Sequence, residues 1–197
     1  MATARKSTEE RQREIIEATL DLIAELGVQG LTTARLAERI GLSEASLYRH
    51  FDGKLDIVRH TIETIGQQLI RTLMTSAGQG TPSERLRRVL EAQLAFIEKR
   101  PGVPRILFSD EIHYNSEALR EKLYDIMLRY SSFIENVLSE GVATGEFRDD
   151  LDLNAAAQSF LGLVQTQVLL WSLSDGRRAP TDRVEELWAM FQRGVSA

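Results

Sequence analysis

Apolar side chains recur along this chain at three- and four-residue intervals, and no alternating run is long enough to make a strand. The pattern predicts an all-α protein of about nine helices with no internal repeat. Ile15, Ile16, Leu20, Ile23 and Leu26 share one face of a first helix over 7–26, opened by a Ser7–Glu10 capping box and stopped by Gly27. Leu36, Ala37 and Ile40 mark a short second helix that Thr32 or Thr33 can cap and Gly41 breaks. A third begins at Ser43, whose hydroxyl can accept from the amides ahead of it. Leu42 and Leu47 anchor this helix, and Ala45 is small enough to let it pass close to its predecessor.

A long helix then runs from Lys54 to about Ala77 and is ended by GQGTP. Thr81, Pro82 and Glu84 supply the cap, first position and capping box of the next helix, which reaches Arg100. Pro101, Gly102 and Pro104 predict a break before the apolar run Ile106, Leu107, Phe108. Further helices are expected over 116–142, over 153–174 and from Pro180 to near Gly194. The division expected is a three-helix head over 1–53 and a helical domain over 54–197.

The helix–turn–helix between Leu31 and Val58 carries more polar chemistry than packing requires. Ser43, Glu44, Ser46, Tyr48, Arg49 and His50 turn toward solvent. Hydroxyls and cations of this kind hold phosphates, while short polar side chains on a helix read base edges. Lys54 follows, where an ammonium and helix-start amides can hold a phosphate together. The candidate DNA-contact set is Thr32, Thr33, Arg35, Ser43, Glu44, Ala45, Ser46, Tyr48, Arg49, His50 and Lys54.

Gly30, Thr32, Thr33, Leu36, Ala37, Gly41, Leu42, Ser43, Leu47, Tyr48, Phe51, Lys54 and Asp56 form a pattern that resembles the tetracycline-repressor (TetR) family of bacterial regulators. The resemblance covers about the first third of the chain. It implies a dimer that sets its helix pairs in the major groove of double-stranded DNA, and a helical pocket whose small-molecule occupancy changes the spacing of the two heads. Glu44 departs from the neutral or basic residue often found there; it repels phosphate and can instead accept from cytosine N4 or point away. Segments SEASLYRHF and RPGVPRIL further resemble nucleoid-occlusion proteins of that fold. They imply an alternative, a DNA-bound protein that acts through a protein partner.

Charge alters this picture only locally. The net charge is −5, and the first 59 residues hold nine Lys or Arg against ten Asp or Glu, giving −1. The acids Glu14, Glu17, Asp21 and Glu25 belong to the first helix, whereas Arg35, Arg39, Arg49 and Lys54 lie in or beside the reading unit. Arg5 and Lys6 read as a solvated terminus, with a minor-groove arm the alternative. The absence of cysteine and of an opening secretory signal fits the cytoplasm and excludes disulfides and thiolate metal sites.

From Leu153 to Ser174 the chain runs 22 residues without a charge. Asn154, Gln158, Gln165 and Gln167 argue for burial in protein and against a membrane span. Two apolar sides are expected on this helix, Phe160, Leu163, Val164 and Trp171 on one, Leu161, Val168 and Leu169 on the other. The last helix has a similar surplus, which predicts a four-helix dimer interface containing Leu161, Val168, Leu169, Leu187, Met190 and Phe191. The pocket implied by the resemblance has Phe96, Phe108, Tyr124, Met127, Phe160 and Gln167 as candidates, which favour an apolar or aromatic effector.

Asp110, Glu111 and His113 form a compact acid–base cluster, expected in a solvated loop or pocket rim because their spacing does not suit a metal site. No nucleophile elbow, phosphate loop or zinc-protease motif occurs, so neither catalysis nor a cofactor is expected. The function expected is a ligand-responsive transcriptional repressor.

Overall fold

Ser7 opens the first helix as its sequence requires: the hydroxyl accepts from the Glu10 amide at 3.2 Å while the Ser7 amide donates to the Glu10 carboxylate at 2.7 Å. The computed structural model describes residues 7–174 and 176–197, and Arg5 and Lys6 lie outside them. Among the described residues the chain is all helical, with one isolated bridge between Phe147 and Ser196. The helices are α1 (Thr8–Gly30), α2 (Thr33–Arg39), α3 (Glu44–Leu47), α4 (Lys54–Ala77), α5 (Pro82–Glu98), α6 (Gly102–Leu107), α7 (Asp110–Asn115), α8 (Glu117–Ala143), α9 (Leu153–Leu173) and α10 (Val184–Val195). A 3-10 turn at Pro180–Arg183 leads into α10.

The residues gather into two compact units, 1–65 with 100–123, and 66–99 with 124–197. That division differs from the head over 1–53 expected from sequence. The reason lies in α6, which packs on α1 within the first unit. Gly102 sits so close to the Leu20 carbonyl that a Cβ there would collide with backbone. The expected break at Pro101–Pro104 is therefore a short helix. Pro104 lies in its first turn, where no amide donor is needed.

Inside the first unit Ile15, Ile23, Leu36, Leu47, Phe51, Ile57 and Val58 are buried. Gly27 breaks helical geometry at φ 71 and ψ 173, after which Val28 is buried and Leu26 is left outward. Leu26 is thus not part of the face expected for it. Gly41, at φ 66, makes the turn between α2 and α3.

The second unit begins with the Thr81–Glu84 capping box and Pro82 at the start of α5. Its core joins α5, α8, α9 and α10. The Tyr130 hydroxyl donates to the Gln93 carbonyl oxygen between buried side chains, and burial pushes the phenol well above its ordinary pKa. Phe160 meets Phe191 edge-on at 5.2 Å, with Trp188 beyond at 6.1 Å.

Candidate nucleic-acid interface

Thr32 caps α2 by accepting from the Arg35 amide at 3.2 Å, which settles the choice between the two threonines. Thr33 is then free to reach across the turn, where its hydroxyl donates to the Glu44 carboxylate at 2.8 Å. Ser43 does not cap α3 with its side chain as expected. Its hydroxyl instead shares a 3.0 Å bond with that of Ser46, and the Arg49 guanidinium donates to Ser46 at 2.9 Å. Helix α3 is only one turn long, so Tyr48, Arg49 and His50 lie in the turn that follows it.

Solvent reaches most of the predicted contact set. Thr32, Arg35, Ser43, Glu44, Ala45, Tyr48 and Arg49 are exposed, and Thr33, Ser46, His50 and Lys54 are half-buried, while Leu47 is locked in the core beneath them. Ala45 faces outward, so it is not the close-packing contact with α2 expected from its size. Leu42 is only half-buried, leaving Leu47 as the main anchor.

The four basic residues divide into two kinds. Arg39 forms a bidentate pair with Glu25, at 3.0 and 2.6 Å, and this bond holds the Glu25 carboxyl below its ordinary pKa. Lys54 donates to Glu111 at 3.1 Å. By contrast, Arg35 donates to the Gly30 carbonyl and Arg49 to a serine hydroxyl, with no carboxylate in ion-pair range among the described residues. Arg35 and Arg49 thus keep an uncompensated charge, a distinction invisible in sequence.

Asp110, Glu111 and His113, expected in a solvated loop or pocket rim, sit on the short helix α7. Glu111 holds Lys54, and His113 Nε2 lies 2.8 Å from the Leu107 carbonyl. Among the described residues no group of acidic or histidine side chains could hold a metal ion.

The other two candidate sets are mixed in burial. Phe96 and Phe160 are buried, Met127 and Gln167 are half-buried, and Tyr124 is 62% exposed and Phe108 43% exposed. An open groove of about 310 Å³ lies in the second unit, lined by Arg148, Leu151, Asp152, Ala155, Ala156, Ser159, Leu163, Met190, Phe191, Gly194 and Val195. None of the six pocket candidates borders it.

Of the interface candidates, Leu161, Val168 and Phe191 pack into the core of the second unit, a correction to their expected outward role. Leu187 is half-buried, and Leu169 and Met190 are exposed. Leu170 and Leu173 are exposed as well. No helix among the described residues is long and apolar enough to cross a membrane.

A capped first helix carrying Arg35, a glycine turn at Gly41, and a short second helix with hydroxyls and Arg49 just beyond its end define a helix–turn–helix DNA-binding regulator. Comparison with known proteins places it further. Residues 15–61 match the model for bacterial regulatory proteins of the tetR family, and residues 79–195 match the tetracyclin repressor-like C-terminal domain. The chain belongs to the tetR family. It is similar to the nucleoid occlusion factor SlmA of Vibrio vulnificus, at 31% identity over 99% of this chain and 100% of that protein. It also shares its fold with FadR of Bacillus subtilis, solved in complex with stearoyl-CoA, with a TM-score of 0.81, 23% identity, and 92% and 98% of the two chains covered. The TetR-family regulator PfmR of Thermus thermophilus superposes with a TM-score of 0.77 at 26% identity over 91% of this chain and 97% of that one.

Proposed function

We propose that this chain is a homodimeric repressor that binds a near-palindromic operator in the cytoplasm and is released by a small apolar or aromatic effector. The observation that carries the reading is the exposed face of Thr32, Ser43, Tyr48, Arg35 and Arg49, whose two guanidiniums have no carboxylate partner among the described residues. Two such faces about one helical turn apart, roughly 34 Å, would meet successive major grooves. The outward Leu169, Leu170, Leu173 and Met190 support pairing of two copies through α9 and α10. The apolar interior of the second unit, and a fold seen in FadR together with stearoyl-CoA, favour an apolar effector. Such a molecule represses or releases only by preferring one form of the dimer; nearly complete switching needs a difference of about 5 kcal/mol.

The likeness to SlmA along the whole chain supports a second reading, a DNA-bound factor working through a protein partner. Genome-wide footprinting separates the two. One operator beside a neighbouring gene supports the repressor, many scattered sites support the second reading, and no protected site at all defeats both.

A further inference from the structure

A carboxylate on a DNA-facing surface is a liability unless it meets a hydrogen-bond donor. Glu44 is exposed at the first position of α3, with no cation in ion-pair range among the described residues. Its Oε2 accepts from the Thr33 hydroxyl at 2.8 Å, a bond that crosses from α2 to α3 and orients the carboxyl group. The other oxygen remains available. Against a phosphate this arrangement would be repulsive. Over a base edge it is useful, because the major groove displays donors only at cytosine N4 and adenine N6. Adenine sets its N7 acceptor beside N6, which opposes a carboxylate, whereas the cytosine amino group has no such neighbour on its own ring edge.

We propose that Glu44 is a specificity-determining residue that selects cytosine at one position of each half-site, with Thr33 as the positioning residue that aims it. The proposal rests on the DNA-binding reading above. It makes the departure at position 44 a source of selectivity, and it gives Thr33 a role other than holding phosphate.

The test is selection of bound duplexes from a randomised pool with the full-length protein, followed by fluorescence anisotropy on the selected site and its single-base variants. Wild type is expected to require cytosine at one position per half-site, by roughly tenfold or more over the other bases. Glu44→Gln, isosteric and at an exposed position, is expected to move that preference to adenine and leave the remaining positions unchanged. Thr33→Val is expected to keep cytosine with a narrower margin.

A selected site with no fixed cytosine, or an E44Q variant with the wild-type base spectrum, overturns the proposal and leaves the Thr33–Glu44 bond as a strut between helices. Arg49→Ala, run in parallel, distinguishes the failures. If it weakens binding while base preference ignores Glu44, only the specificity proposal falls. If wild type binds no duplex in the pool, the DNA reading falls with it.

Discussion

Lys54, at the head of α4, donates its ammonium to Glu111 on α7 across 3.1 Å, although 57 positions separate them in sequence. Both side chains are about three-quarters shielded, at 26% and 22% exposure, so the pair is not a loose surface contact. A phosphate approaching Lys54 therefore meets an ammonium already partnered by a carboxylate.

Replacing that carboxylate should expose the cation to DNA. Glu111→Gln is expected to tighten duplex binding several-fold and to steepen the dependence of log affinity on log salt by about 0.9, the increment of one added phosphate contact. Anisotropy titrations over a range of sodium chloride check it. An unchanged slope would show that Lys54 does not reach phosphate.

Arg35 and Arg49, without a carboxylate partner among the described residues, differ from the ion-paired Arg39. Arg49→Ala is expected to weaken binding about tenfold and flatten the salt slope by about 0.9, because its neutral Ser46 partner leaves its charge for DNA. Arg39→Ala, which breaks the Glu25 pair instead, should change affinity less than about threefold. Equal losses would contradict the distinction.

Leu161 and Leu169 belong to the same helix and should fail differently. Leu161→Ala opens a hole in the core of the second unit and is expected to cost about 2–5 kcal/mol in denaturant unfolding. Leu169→Glu is expected to leave helical content intact while sedimentation velocity reports monomers, since its side chain points outward.

These two leucines also show why sequence alone leaves the outward side of α9 ambiguous. Helix orientation is legible when charged residues mark the wet side, and α9 has none from Leu153 to Leu173. With no charge on any side and apolar groups on more than one, nothing local separates Leu161, turned inward, from Leu170 and Leu173, turned out. Helix starts were far more legible, because Ser7, Thr32 and Thr81 act on amides three residues away. The solvent-facing side of the helix pair was legible from local spacing: Leu47 fixes the buried side and the exposed Tyr48 and Arg49 follow in sequence. The partner of Lys54 was not, since contact between α4 and α7 depends on the folded path.

Acid should loosen the first unit through Asp56. Desolvation acts to raise its pKa, but hydrogen bonds from Arg59 at 2.6 Å and from the Asp52 amide at 3.1 Å, with the charges of His60 and Arg59, outweigh it and hold the carboxyl below its ordinary value. A carboxyl depressed on folding stabilises the protein above its unfolded pKa, near 4, and loses that contribution as pH falls through the folded value. Thermal melts of Asp56→Asn should lie below wild type at pH 7, and the gap should close toward pH 3. A gap that persists in acid would assign the loss to packing.

Gly102 has no room for a side chain against the Leu20 carbonyl, and Gly102→Ala is expected to lower the melting temperature by several degrees. Calorimetry of the full chain checks it. A melt matching wild type would mean that α6 can slide on α1.

The packing of α6 on α1 has a practical corollary for anyone who would transplant this reading head onto another scaffold. Cutting the gene after the helix–turn–helix would strip away residues 100–123 and leave the Leu20 side of α1 bare to water. A functional chimera must carry both stretches, so the head is inherited as a split cassette and not as a detachable N-terminal module.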